Sequence, residues 1–120
     1  MLESQLLDHE RLDAYRVALE LDARVVRIAA GLGRGHAGLR DQMLRASESM
    51  VLNLAESVGR EGADRANRVR ISKASLFELD AALTLARNRG VCPQSLRDEA
   101  RALTVRLAAM LYGLQAKARR

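Results

Sequence analysis

Between Leu39 and Val58 the chain carries neither proline nor glycine, and its apolar residues recur at Leu39, Met43, Met50, Leu54 and Val58. Steps of three, four and seven place those side chains on one face of a helix. The same stretch carries a second stripe, Gln42, Arg45, Ser49, Asn53, Glu56 and Arg60, spaced in the same way. A solvent-facing helix ordinarily scatters long charged residues, so an ordered line of short polar ones is unusual. Whatever the chain folds into must give this helix two distinct neighbours, one apolar and one polar.

Composition says what surrounds it. Of 120 residues, 48% are apolar but only Tyr15, Phe77 and Tyr112 are aromatic, and Pro93 is the single proline. A core of Leu, Ala, Val and Met favours helices over sheets, and the length suits one domain that buries roughly two-thirds of its unfolded surface. No apolar run approaches the roughly 18 residues of a membrane span. Met1-Leu2-Glu3-Ser4 has no basic stretch leading into an apolar one, so no secretory signal is expected. Cys92 has no second cysteine to pair with. It reads as a small residue in a turn, suited to a reducing, cytoplasmic setting.

The formal charge is +5, with 18 arginines and two lysines, Lys73 and Lys117. Residues 1–37 sum to −1, 38–90 to +2 and 91–120 to +4. A basic C-terminal third fits nucleic acid, anionic lipid or an acidic partner, and it fits a solvated helix face equally well.

Taken in order, the pattern predicts helices over about residues 10–30, 39–58, 64–89 and 93–117, all within one domain spanning 1–120. The first helix has two adjoining apolar stripes. Leu12, Tyr15, Leu19, Val26 and Ala29 form one; Ala14, Ala18, Leu21, Val25, Ile28 and Leu32 form the other. Together they exceed the usual apolar arc, so part of that surface should meet something beyond the adjacent helix. Four glycines between Gly31 and Gly38 end the helix; the run does not match a dinucleotide fingerprint. Asp64 is the expected N-cap of the third helix, whose apolar face is Val69, Leu76, Leu79, Leu83 and Ala86, widened by Ile71, Ala74, Ala81, Ala82 and Leu85. Pro93 suits the first position of the fourth, where Leu96, Ala100, Leu103, Leu107, Met110 and Leu114 form a heptad. Four helices with short connections give an all-α, antiparallel up-down-up-down four-helix bundle.

Folding the second helix back on the third brings Asn53 level with Ser72, Ser49 with Ser75, Arg45 with Glu78, and Glu56 with Arg68. With Gln42 these residues would form a continuous polar seam, its serines allowing close approach and its charge pairs closing the ends. The seam is either a functional site or a device that fixes register, as buried polar residues do in coiled coils. No nucleophile with an adjacent base lies in it, which favours the register device. A buried Arg45–Glu78 pair would make Arg45→Ala cost about 3 kcal/mol or more.

The run Leu39-x-x-Gln42-x-x-Arg45-Ala46-x-x-Ser49-x-x-x-Asn53-Leu54-Ala55-Glu56, then Gly59-Arg60, resembles the signature of the 23S rRNA intervening-sequence proteins, also known as four-helix-bundle proteins. Ile71-Ser72-Lys73-Ala74-Ser75-Leu76-Phe77-Glu78-Leu79 resembles that family's second block. Ser57 stands where the family usually has glycine. The resemblance implies a bundle that assembles as a ring-shaped homo-oligomer, typically a homopentamer with a central channel. It also implies kinship with the accessory variability-determinant proteins of diversity-generating retroelements, basic bundles that bind nucleic acid and partner a reverse transcriptase.

Enzyme chemistry is the weakest reading. A di-iron bundle needs Glu-x-x-His on two helices plus two further glutamates; no Glu-x-x-His occurs, and His9 and His36 lie outside the expected helix interiors. No phosphate loop or catalytic triad order is present, so no metal, cofactor or catalytic residue is expected. The first functional expectation is therefore a non-enzymatic accessory protein that binds structured RNA or DNA by its backbone, because stacking residues are nearly lacking. Its candidate contacts are Arg60, Arg65, Arg68 and Arg70 around the central turn, with Arg97, Arg101, Lys117, Arg119 and Arg120 from the last helix. The second is an oligomeric scaffold or adaptor for a protein partner, with the charge serving solubility; Glu61, Asp64 and Glu78 interleaved among the arginines favour it.

Overall fold

A computed structural model of the chain describes residues 5–118. Among the described residues there are four α-helices and no strand: α1 Asp13–Ala30, α2 Ala37–Ser57, α3 Gly62–Asn88 and α4 Gln94–Ala118. Each helix packs on the next, α4 closes against α1, and the backbones of diagonal helices stay apart across the shared core. Short connections make neighbours antiparallel. One end of the bundle, here the turn end, therefore gathers the α2–α3 turn, the start of α1 and the end of α4. The other, the loop end, gathers the α1–α2 and α3–α4 connections.

Local chemistry sets the helix ends. α1 begins at Asp13 rather than near Glu10, because residues Asp8–Arg11 form one turn of 3-10 helix. Glu10 folds back to accept the Leu7 N–H at 3.1 Å, and Leu12 is extended at φ −83°, ψ 118°. α1 stops at Gly31, and the connection turns through Gly33 and Gly35 at φ 81° and 89°, a region that favours glycine. Arg40 then clamps the helix end: its Nε donates to the Ala29 carbonyl at 3.2 Å and its Nη2 to Gly33 at 3.1 Å. α3 starts at Gly62, so Asp64 is a first-turn residue and not the N-cap; Glu61 holds that position without a side-chain cap. Pro93 sits just before α4, its carbonyl accepting the Arg97 N–H at 3.0 Å.

The core is aliphatic throughout. Leu21, Val25 and Ile28 from α1, Met43, Met50 and Leu54 from α2, Leu76, Leu79 and Leu83 from α3, and Leu107 and Leu111 from α4 are all fully buried. The α1 stripe through Ala18 and Leu21 faces inward, whereas Leu19 and Val26 of the other stripe stay exposed. On α3 the expected widening residues divide: Ala82 is buried, Ile71 half-buried, and Ala74, Ala81 and Leu85 are exposed. α4 departs most from its sequence pattern. Its buried line is Arg97, Ala100, Thr104, Leu107, Leu111 and Gln115, while Leu96, Leu103, Met110 and Leu114 only flank the core. The leucine heptad overstates that helix's apolar face because three of its inward positions are polar and bonded to other groups.

Candidate functional site

The seam between α2 and α3 is built from short side chains at matching heights. Ser49 and Ser75 share a hydrogen bond of 2.8 Å. Asn53 donates to the Ser49 carbonyl at 2.9 Å and accepts from Arg68 at 3.3 Å, while Arg68 also lies 3.5 Å from Glu56. Ser72 does not meet Asn53; it is fully buried and donates to the Met50 carbonyl at 2.7 Å. Nor does Arg45 pair with Glu78. The Gln42 amide takes that carboxylate, and Arg45 is exposed, reaching only the Gln42 carbonyl at 3.5 Å. Gln42 lies one turn earlier on the face that meets α3, whereas Arg45 turns toward solvent. Ser57 is buried and donates to the Leu54 carbonyl at 2.6 Å.

The expected basic residues do not form one surface. At the turn end, Arg65 is a backbone clamp: Nε donates to Ser57 and Arg60 carbonyls at 3.1 and 2.6 Å, and Nη2 to Val58 at 2.9 Å. It thereby caps the Val58 carbonyl at the end of α2 and the Arg60 carbonyl of the turn, and adds a second donor to the Ser57 carbonyl, which also accepts the Arg60 N–H. Arg60 lies between Glu56 at 2.5 Å and Asp64 at 3.0 Å; those bonds, Glu56 foremost, push its pKa above the usual guanidinium value. Arg70 bonds only its helical neighbour Asn67, and Lys117 is exposed at the same end. Arg97 and Arg101 sit near the opposite end, on the two oxygens of Asp80 at 3.0 Å each. Arg97 is only 4% exposed; it also donates to Thr84 at 3.1 Å, and its Nε and Nη1 have no partner. Arg119 and Arg120 lie outside the described residues.

Several contacts had no place in the sequence reading. Lys73 donates to Gln115 at 2.7 Å and stands 4.0 Å above the Tyr112 ring, an arrangement that favours the cation. Ser47 donates to Asp22 at 2.7 Å across α1 and α2. The Asp80, Thr84 and Arg97 contacts could have been found by registering α3 on α4 as α2 was registered on α3. Cys92 is buried, which raises its thiol pKa against the opposing pull of Arg97. Among the described residues no three His, Cys, Asp or Glu side chains gather as a metal site would require. None of the described helices is long and apolar enough to cross a membrane.

Two sidewalls of the bundle are apolar yet uncovered. On the α1–α2 side, exposed Leu19 and Val26 adjoin half-buried Leu12, Tyr15, Leu44 and Val51. On the opposite α3–α4 side are Phe77, Val105 and Tyr112, the last two each 55% exposed. Exposed Leu85 lies seven residues after Glu78 and so on the α3 face turned toward α2.

A protein-family model described as 23S rRNA-intervening sequence protein matches residues 10–113. No curated protein matches the chain.

Proposed function

This chain belongs to the 23S rRNA-intervening sequence protein family, and we propose that it is a non-enzymatic, homo-oligomeric accessory protein that binds structured RNA through the phosphate backbone. The observation that carries the reading is the +5 charge on a surface nearly devoid of aromatic side chains, which suits phosphate contact and not base stacking. The two apolar sidewalls support assembly. They lie on opposite sides and differ in sequence, so the wall of one copy meets a different wall of the next. Such heterologous contacts close into rings when the rotation allows; a pentamer is the size the family resemblance suggests.

A scaffold for a protein partner, a reverse transcriptase among the candidates, is the second reading. The neutralised turn end favours it, since Glu56 and Asp64 already occupy Arg60.

Equilibrium binding of a structured RNA and a matched DNA duplex over a salt series separates the two. Micromolar or tighter binding, with the logarithm of affinity falling steeply against log salt, is expected. No binding at about 50–100 mM salt, where phosphate contacts are strong, refutes the RNA reading and leaves the scaffold.

A further inference from the structure

Among the described residues, the turn end is not where the uncompensated charge lies. Residues 5–16, 53–70 and 110–118 hold seven basic and six acidic side chains, a net of +1. The loop end, residues 24–41 and 80–101, holds eight basic and four acidic, a net of +4. The rest of the described chain is slightly acidic, so the loop end accounts for the described excess.

Pairing sharpens the contrast. Arg27, Arg34, Arg87 and Arg89 are all exposed, and none forms an ion pair among the described residues. They come from the last turn of α1, the glycine-rich α1–α2 connection, the last turn of α3 and its cap. Arg27 borders the groove that runs over Gly90, Val91 and Pro93, and Arg87 borders the hollow over Arg101 and Thr84. No acidic residue occupies the first turn of α2 or α4, which begin at this end. Arg27 and Arg87 favour the dipoles of the helices they end. Arg34 lies in a connection and gains nothing of that kind, and Arg89 follows its helix.

From this arrangement we infer that the loop end is the phosphate-contacting surface, with Arg27, Arg34, Arg87 and Arg89 neutralising successive backbone phosphates of a structured RNA. The inference rests on the RNA reading above and relocates its contacts away from the central turn and the end of α4. Four flexible guanidiniums spread over two connections suit the irregular backbone of a folded RNA. They supply charge and fork-shaped donors without a stacking platform.

The test uses the full chain and a labelled RNA hairpin in a potassium chloride series. One variant replaces all four loop-end arginines with glutamine; a second replaces Arg60, Arg68, Arg70 and Lys117 with glutamine. The loop-end variant should lose at least tenfold in affinity at low salt. Its log–log salt slope should shrink by about 3–4, the range from single-strand to duplex values for four phosphate contacts, with a melting temperature lowered only slightly by the loss of two dipole-favouring arginines. The turn-end variant should keep most of the slope. If the turn-end variant loses the slope and the loop-end variant does not, the loop end is overturned as the contact surface while RNA binding stands. If the unaltered chain fails to bind the hairpin at low salt, both fall together.

Discussion

Two arginines show how little residue type says about role. Arg65 and Arg70 are five positions apart on one helix, yet Arg65 donates to three backbone carbonyls and Arg70 touches only Asn67. Arg65→Ala should destabilise the fold by about 2 kcal/mol, since hydrogen bonds from a charged donor are worth roughly 1.5–3 kcal/mol. Arg70→Ala should stay within about 0.5 kcal/mol, as expected of an exposed site. Urea unfolding of the two variants decides this, and equal losses would deny Arg65 its clamp. The Asp80 cluster gives a second contrast. Removing Asp80 strands a 4%-exposed guanidinium, so Asp80→Ala should cost about 3 kcal/mol or more. Arg97→Met should cost little or stabilise, because Asp80 keeps Arg101 and two orphaned donors vanish with the arginine. A larger loss for Arg97→Met than for Asp80→Ala would reverse that account.

At the scale of elements, the α2–α3 pairing is set by small side chains. Ser49 and Ser75 meet at 2.8 Å, and Ser75 is buried between the two helices, so a larger branched residue there must push them apart. Ser75→Leu should therefore cost about 1–3 kcal/mol through overpacking, despite adding apolar surface. Arg45→Ala, in contrast, should change stability by no more than about 0.5 kcal/mol, because Glu78 is held by Gln42 and Arg45 is exposed. Thermal melts of both variants give the comparison; a tolerated Ser75→Leu would mean the helices are not held close by their serines. The pairing of Ser49 with Ser75 and of Glu56 with Arg68 was legible because antiparallel helices joined by a short turn have few registers. Which of two residues a turn apart, Gln42 or Arg45, would reach Glu78 was not legible. Helix rotation of a few tens of degrees decides it, and that rotation comes from packing of the whole core.

For the whole molecule, the proposed assembly through unlike sidewalls predicts how two variants behave. Val26→Glu disables the α1–α2 wall and Val105→Glu the α3–α4 wall, each at an exposed position. Either change alone should reduce the oligomer to monomer in sedimentation velocity. Mixing the two variants should restore one interface and stop at a dimer, since each copy retains a different intact wall. An interface formed by one wall with itself would leave one of the variants fully assembled. That result would exclude the heterologous arrangement.

The sequence by itself determined the helices and the inward face of α2 and α3, because apolar spacing and glycine punctuation act over a few residues. On α1 it showed two apolar stripes, and packing decided that the one through Ala18 and Leu21 turns inward. It also carried the polar stripes and the family signature. Tertiary structure alone decided what the arginines do. Arg65 and Arg97 are spent inside the fold, Arg60 is matched by carboxylates, and the unpaired charge collects where two connections distant in sequence come together. Charge is additive along a chain, but its compensation depends on which acidic groups the fold brings within hydrogen-bonding distance. The inward line of α4 was likewise hidden, because Arg97, Thr104 and Gln115 look like surface residues until their partners are in place.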